Sequence, residues 1–155
     1  MIPLCLIILI SGCSENKKKT TTVCDMQDAD SGNISEVITI KASGDEINTY
    51  TSNVIIDYTD ALSDSTQFSK AEVAQYLNQQ LTALKLKYNY QGIKFKAKLD
   101  GYKINALIKI DLKVVSKKAL VSIGYLSSDS KKSGYASLET TLKGLKATGG
   151  VCSGK

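Results

Sequence analysis

The chain contains no histidine, no arginine and no tryptophan among its 155 residues. Without histidine, Ser-His and Cys-His nucleophile pairs cannot form, and imidazole-ligated zinc or haem sites are excluded. Without arginine there is no planar fork for bidentate recognition of phosphate or guanine, so we expect no nucleic-acid partner. All twenty basic residues are lysines, against fifteen Asp and Glu, and the formal net charge is +5. Carboxylates and lysine amines are then the most numerous groups for acid–base chemistry or ion binding.

The chain also lacks a long hydrophobic run. Its apolar N-terminal stretch, Ile2–Ile10, is about nine residues long, whereas a helix that crosses a bilayer needs about 20. The length does fit the apolar region of a signal peptide. This stretch ends in Ile10-Ser11-Gly12-Cys13, followed by a polar tract. A branched aliphatic residue, two small residues and a cysteine form the pattern of a bacterial lipobox. There the cysteine sulfur receives a diacylglycerol, with fatty acyl chains such as palmitate, and cleavage occurs before the cysteine.

The lipobox predicts how the chain is organised. We expect residues 1–12 to be a lipoprotein signal peptide, residues 13–22 to hold the lipidated Cys13 and a flexible tether, and residues 23–155 to form one domain. The protein would then be anchored to a bacterial cell membrane and face its extracytoplasmic side. Residues 1–12 carry no Lys or Arg, although a signal peptide ordinarily opens with one. Either the sequence begins within the leader, or export uses an unusually short one. The alternative to a leader is a buried strand that ends in Ser-Gly-Cys.

Cysteine is scarce, with four residues in the chain. Cys5 would leave with the signal peptide and Cys13 would be lipidated, so Cys24 and Cys152 remain at the two ends of the domain. An even pair in an oxidising compartment predicts a structural disulfide. For a loop of over 100 residues, the chain-entropy model gives a stabilisation of about 5 kcal/mol as an upper figure. The alternatives are two free thiols or a redox pair, although the chain has no Cys-x-x-Cys spacing.

Hydrophobic periodicity predicts an α+β fold. The expected elements are strands over Ile34–Lys41 and Glu46–Tyr58, a helix opened by the capping box Ser69-Lys70-Ala71-Glu72, a hairpin over Ile93–Ile110, and a helix over Ala136–Lys146. In the hairpin, Asp100-Gly101 predicts a two-residue type I′ turn, with Lys98 opposite Lys103. The order β-β-α-β-β-α predicts an antiparallel sheet of about four or more strands, with helices packed on one face.

Several short segments together resemble a known family. They are the Gly44-Asp45 turn, the helix start Ser69–Val73, the segments Tyr90–Lys94 and Asp100–Leu112, and Ser137-Leu138-Glu139. On these residues the chain resembles the YehR-like bacterial lipoproteins, whose shared domain is uncharacterised. The resemblance covers most of the chain after Val37 and implies a lipid-anchored α+β domain, with no established activity or catalytic residues. The uncharged leader departs from the pattern, and the Cys24/Cys152 pair is not assumed for the family.

The polar face of the hairpin is the best candidate for a binding site. It carries six lysines, Lys94, Lys96, Lys98, Lys103, Lys109 and Lys113. Such a face favours an anionic partner, whether lipid headgroups, a cell-wall polymer or an acidic envelope protein. The alternative is a solvated outer face that resists aggregation, with Asp100 and Asp111 partly balancing its charge.

No metal site, cofactor or catalytic set is predicted. The acidic stretch Asp25–Asn33 invites a calcium site, but its glycine falls one position early and Thr39 stands where an EF-hand has its bidentate Glu. The leading hypothesis is a non-enzymatic binding or interaction module, anchored through Cys13. The alternatives are a small cell-surface enzyme that uses carboxylate or lysine chemistry, and a structural subunit of an envelope complex.

Overall fold

The computed structural model describes residues 17–27, 33–63, 68–126 and 137–154. The elements in chain order are β1 (Lys19–Gln27), β2 (Ile34–Ser43), β3 (Glu46–Asp57), α1 (Thr59–Leu62), α2 (Lys70–Lys87), β4 (Ile93–Asp100), β5 (Lys103–Asp111), α3 (Lys117–Ser122), α4 (Leu138–Ala147) and β6 (Val151–Gly154). The strands form one antiparallel sheet in the order β4-β5-β3-β2-β1-β6. The fold is α+β, as predicted.

The element order differs from the predicted one at both ends of the domain. The sheet gains β1 and β6, and the short helices α1 and α3 add to the two that were expected. Because β1 begins at Lys19, the residues Lys19–Thr22, which were predicted to be tether, lie in the sheet. Their pattern of Lys and Thr has no apolar periodicity, and they are ordered by pairing with β2 on one side and, at Thr22, with β6 on the other. Cys13 lies outside the described residues.

One face of the sheet carries the hydrophobic core. Alternate residues of β5 are buried, namely Ile104, Ala106, Ile108 and Ile110. Across the sheet Ile38 and Ile40 of β2 are 1% and 0% exposed. Leu120 of α3 is also fully buried in this cluster, and the apolar side chains of α4 pack against it. We call this side the covered face, because the helices pack on it.

The long helix α2 starts where its sequence predicts. The Ser69 hydroxyl accepts a hydrogen bond from the Glu72 amide at 3.3 Å, and the Glu72 carboxylate accepts from the Ser69 amide at 2.7 Å. This capping box satisfies two amides that the first turn otherwise leaves unpaired. At the other end of α2, the Tyr88 ring stacks on Phe95 of β4 with centroids 5.3 Å apart. No helix within the described residues is long and apolar enough to cross a membrane.

The two remaining cysteines meet at one edge of the sheet. Cys24 of β1 lies directly opposite Cys152 of β6, and their sulfur atoms are at disulfide-bonding distance. The bond joins residues 128 positions apart and ties the short last strand to the sheet. Cys24 is fully buried on the covered face. The pairing agrees with the one predicted by elimination.

Candidate functional site

The predicted lysines lie on the side of the sheet opposite the helices, which we call the open face. In β4, the exposed Lys94, Lys96 and Lys98 alternate with half-buried apolar residues of the covered face. In β5, Lys103 and Lys109 are exposed on the same side of the sheet. Lys113 follows the end of β5 in a turn and is also exposed. Pairing of the two strands therefore brings five of the six predicted lysines onto one surface.

The predicted register of the hairpin is wrong by two residues. Lys98 pairs with Asn105 instead of Lys103, and Asp100 pairs with Lys103. The central turn residues are Gly101 and Tyr102, and Gly101 has a φ of +59°. No residue other than glycine has a positive φ within the described ranges, so the turn is not type I′, which requires two. The observed register pairs Lys103 with Asp100 and places Lys94 opposite Lys109, and a shift of two leaves every side chain on its predicted face.

Lys103 differs from the other open-face lysines because it has an acidic partner. Its ammonium lies 2.7 Å from the carboxylate of Asp57 at the end of β3. Hydrogen bonds from Lys103 and Thr59 lower the pKa of Asp57 to about 2, and the same contact with Asp57 raises the pKa of Lys103. This pair joins β3 to β5, so we assign Lys103 a structural role. The other lysines of β4 and β5 are exposed and form no salt bridge within the described residues; they are Lys94, Lys96, Lys98 and Lys109.

The open face also carries exposed apolar side chains. Val37, Ile55, Leu107 and Val151 are on the open face and are 39%, 41%, 37% and 76% exposed. A shallow groove of about 480 Å³ runs over β3, β5 and β4 on this face; its lining includes Asn53, Ile55, Lys96, Lys98, Asn105 and Leu107. The apolar part of the surface was not predicted. The sequence signals it by consecutive apolar residues in a strand, which place apolar side chains on both faces of the sheet, as in Val54-Ile55-Ile56.

A polar cluster on the covered face was also missed. Glu36 occupies an otherwise apolar stripe of β2, and its carboxylate accepts a hydrogen bond from the buried Ser52 hydroxyl at 2.5 Å. Burial raises the pKa of the neighbouring Tyr50, with a further contribution from the Glu36 charge. The Tyr50 ring also meets Tyr125 edge-on, with centroids 5.0 Å apart. The Ser52 hydroxyl therefore satisfies one oxygen of the partly buried Glu36 carboxylate, and the hydrogen bond joins β3 to β2.

The acidic stretch considered for calcium is only partly described. Asp25 is exposed on β1, whereas residues 28–32 lie outside the described residues. Within the parts of the chain that the structure describes, no group of three or more His, Cys, Asp or Glu side chains is placed to hold a metal ion.

Comparison with known proteins identifies the fold. The structure resembles the NMR structure of the Escherichia coli YehR protein, with a TM-score of 0.65 and 20% identity over 88% of this chain and 91% of that one. It also resembles a protein from Streptococcus pneumoniae, with a TM-score of 0.52 and 14% identity over 99% of this chain and 96% of that one. No protein-family model matches the sequence, and no curated protein matches it either. At these identities the likeness shows the fold alone, which is YehR-like as the sequence predicted.

Proposed function

We propose that the protein is a lipid-anchored interaction module on the extracytoplasmic side of a bacterial membrane, and that its open face binds the anionic headgroups of that membrane. The observation that carries this proposal is the open face itself, where four exposed lysines of β4 and β5 form no salt bridge with any described residue and several apolar side chains are exposed. The module acts by binding and carries out no reaction. The proposal includes membership of the YehR-like lipoproteins, which the shared fold and the lipobox pattern support.

The proposed anchor makes the membrane the nearest anionic surface. Five residues separate Cys13 from Lys19, the first residue of β1, and they reach about 20 Å when fully extended. A lipid on Cys13 would therefore hold the sheet close to the headgroups. Each lysine near an anionic membrane contributes about 1 kcal/mol of attraction. Exposed Ile55 and Leu107 would enter the headgroup region, while the flexible lysine stems let the ammonium groups reach the phosphates.

A test of the open face uses the lipid-anchored protein in nanodiscs that carry a paramagnetic headgroup. In phosphatidylglycerol discs, we expect strong relaxation enhancement at the amides of β4 and β5, and much less in phosphatidylcholine discs. Replacing Lys94, Lys96, Lys98 and Lys109 by Gln should lower the ratio of docked to undocked protein at least about 100-fold, because four contacts of about 1 kcal/mol are lost. High salt should have the same effect on the unsubstituted protein.

A matched control removes the same charge from the helices. Lys85 of α2, Lys118 of α3 and the pair Lys143 and Lys146 of α4 are all exposed on the covered side. Replacing these four by Gln should leave the relaxation pattern of β4 and β5 unchanged. Equal losses for the two quadruple variants would mean that net charge, and not the open face, controls the contact. Loss of the enhancement in phosphatidylglycerol discs when a soluble wall polymer is added, because the polymer takes the open face, would also overturn the membrane proposal.

The anchor has a separate test. Mass spectrometry of the protein purified from membranes should find a mature chain that begins at Cys13 and carries the mass of a diacylglycerol. An unmodified Cys13, or retention of residues 1–12, would contradict the lipoprotein part of the proposal.

A further inference from the structure

Two of the four lysines that form no salt bridge within the described residues lie directly opposite each other across β4 and β5. Lys94 of β4 pairs with Lys109 of β5, whereas Lys96 pairs with Leu107 and Lys98 pairs with Asn105. Opposed residues in an antiparallel pair have their α-carbons about 4.5–5.5 Å apart, so two positive charges share a small area. Like charges in this position disfavour the sheet. An anion bound between the two ammonium groups would remove that repulsion.

Open space lies directly beside the lysine pair. The next residues along the ladder are Gly92 and Asp111, joined by a hydrogen bond of 2.8 Å from the Asp111 amide to the Gly92 carbonyl. Gly92 has a φ of +83°, and a β-carbon there would lie 2.6 Å from the backbone nitrogen of Val115. The fold thus keeps this position without a side chain. On the other side of the ladder, a cavity of about 380 Å³ is lined by both lysines and by Tyr90, Asp111 and Val114 among others.

The lining of this notch matches an anion with a single negative charge. Two ammonium groups and one carboxylate leave a net charge of +1. The Asp111 carboxylate is held by the Lys113 amide, which donates to it at 3.0 Å. A phosphodiester carries one negative charge and suits such a lining, whereas a phosphomonoester carries up to two. Lysine binds phosphate as a point charge. Exposed Tyr90 and Val114 provide apolar contact for the carbon groups on either side of the phosphorus.

We propose that the notch formed by Lys94, Lys109, Gly92, Asp111 and Tyr90 is a binding site for a phosphodiester group. The inference deepens the proposed function, because the notch lies at one end of the open face. Its ligand chemistry is shared by the phosphodiesters of lipid headgroups and of polyol-phosphate polymers.

The site can be tested by NMR titration of the isotope-labelled, lipid-anchored protein in maltoside micelles, which contain no phosphate. Added glycerophosphoglycerol should shift the amide signals of Gly92, Lys94, Lys109 and Asp111 in a saturable way. Lys94→Gln or Lys109→Gln should each weaken binding about fivefold. Lys41→Gln is the matched control, since Lys41 is exposed on the same face in β2, outside the four proposed binding lysines, and it should change affinity less than about twofold.

The outcomes separate the site from diffuse attraction. Equal weakening by Lys41→Gln, equal shifts with sulfate and with the diester, or no saturable shift at all would each overturn the notch. The source of the phosphodiester follows from two further arms, phosphatidylglycerol nanodiscs and soluble poly(glycerol phosphate). The natural class of ligand is the one that shifts the amide signals of the notch in the unsubstituted protein and fails to shift them in Lys109→Gln.

The notch and the proposed function fail in different ways. If nanodisc docking depends on the four lysines but the soluble diester does not map to the notch, the site is wrong and membrane docking stands. If the diester binds the notch but docking is unaffected by the four Gln substitutions, the site stands and the docking proposal is wrong.

Discussion

The two faces of the sheet use the same strands for different purposes. In β5, Ile104 and Ile108 are 0% and 7% exposed under the helices, whereas Leu107 and Lys109 point from the other side and are exposed. The difference arises from what packs on each face, since the alternation of side chains is common to both. The covered face thus holds the buried core, and the open face is exposed among the described residues. Substitutions on the two faces should therefore have separable effects.

The largest expected difference is between Ile104→Ala and Leu107→Ala. Ile104 is fully buried, so its truncation should lower the free energy of unfolding by about 4 kcal/mol through lost transfer energy and a cavity. Leu107, three positions away on the open face, should lose less than about 1 kcal/mol. Urea denaturation of both variants measures the difference. Similar losses would show that the open face is packed against another part of the protein.

Loss of the disulfide should have the next largest effect. We expect the double variant Cys24→Ala/Cys152→Ala to lose about 3 kcal/mol, because the unfolded chain is no longer closed into a loop and one buried side chain is trimmed. Denaturant unfolding with and without a reductant measures this. The reductant should destabilise the unsubstituted protein and leave the double variant unchanged. A reductant effect that persists in the double variant would mean that another thiol chemistry is responsible.

The smallest expected effect belongs to the ion pair on the open face. Because the pKa of Asp57 is lowered from 3.8 to about 2 in the folded protein, its contribution is complete above pH 3.8 and is lost as the pH falls through 2. Asp57→Asn should therefore flatten the fall in stability over that acidic range and leave the slope near neutral pH unchanged. Thermal unfolding measured across pH 2–5 checks this. An unchanged acid slope would show that Asp57 is unpaired in solution.

Local signals were sufficient for a large part of the fold. The capping box at Ser69 and Glu72 acts over three residues, so it could be predicted without knowing the surroundings. Alternation in β4 and β5 assigned each lysine to its face even though the hairpin register was off by two, since a shift of two preserves parity. The strands β1 and β6 were missed because neither has an apolar pattern of its own. Both are stabilised by pairing at the edge and by the Cys24–Cys152 contact.

The candidate site, like the fold, could be predicted only in part from local signals. Its lysines could be named from the sequence, whereas the ion pair of Lys103 with Asp57 and the direct opposition of Lys94 and Lys109 could not. Those relations depend on which residues of distant strands become neighbours. The apolar side chains beside the lysines were unpredictable for a related reason: Ile55 and Ile56 are equally hydrophobic, and which of them is left exposed depends on the side where the helices pack.

Three features therefore followed from the sequence alone. Side-chain periodicity and the start of α2 depend on residues close together in the chain, and the choice of cysteine partners follows by elimination. The tertiary structure determined the register of the hairpin, the membership of β1 and β6 in the sheet and the existence of an open face. The physical reason is that a periodic pattern specifies two faces of a strand without specifying their surroundings. Only packing of the helices on one face determines which side chains are buried and which lysines remain in solvent.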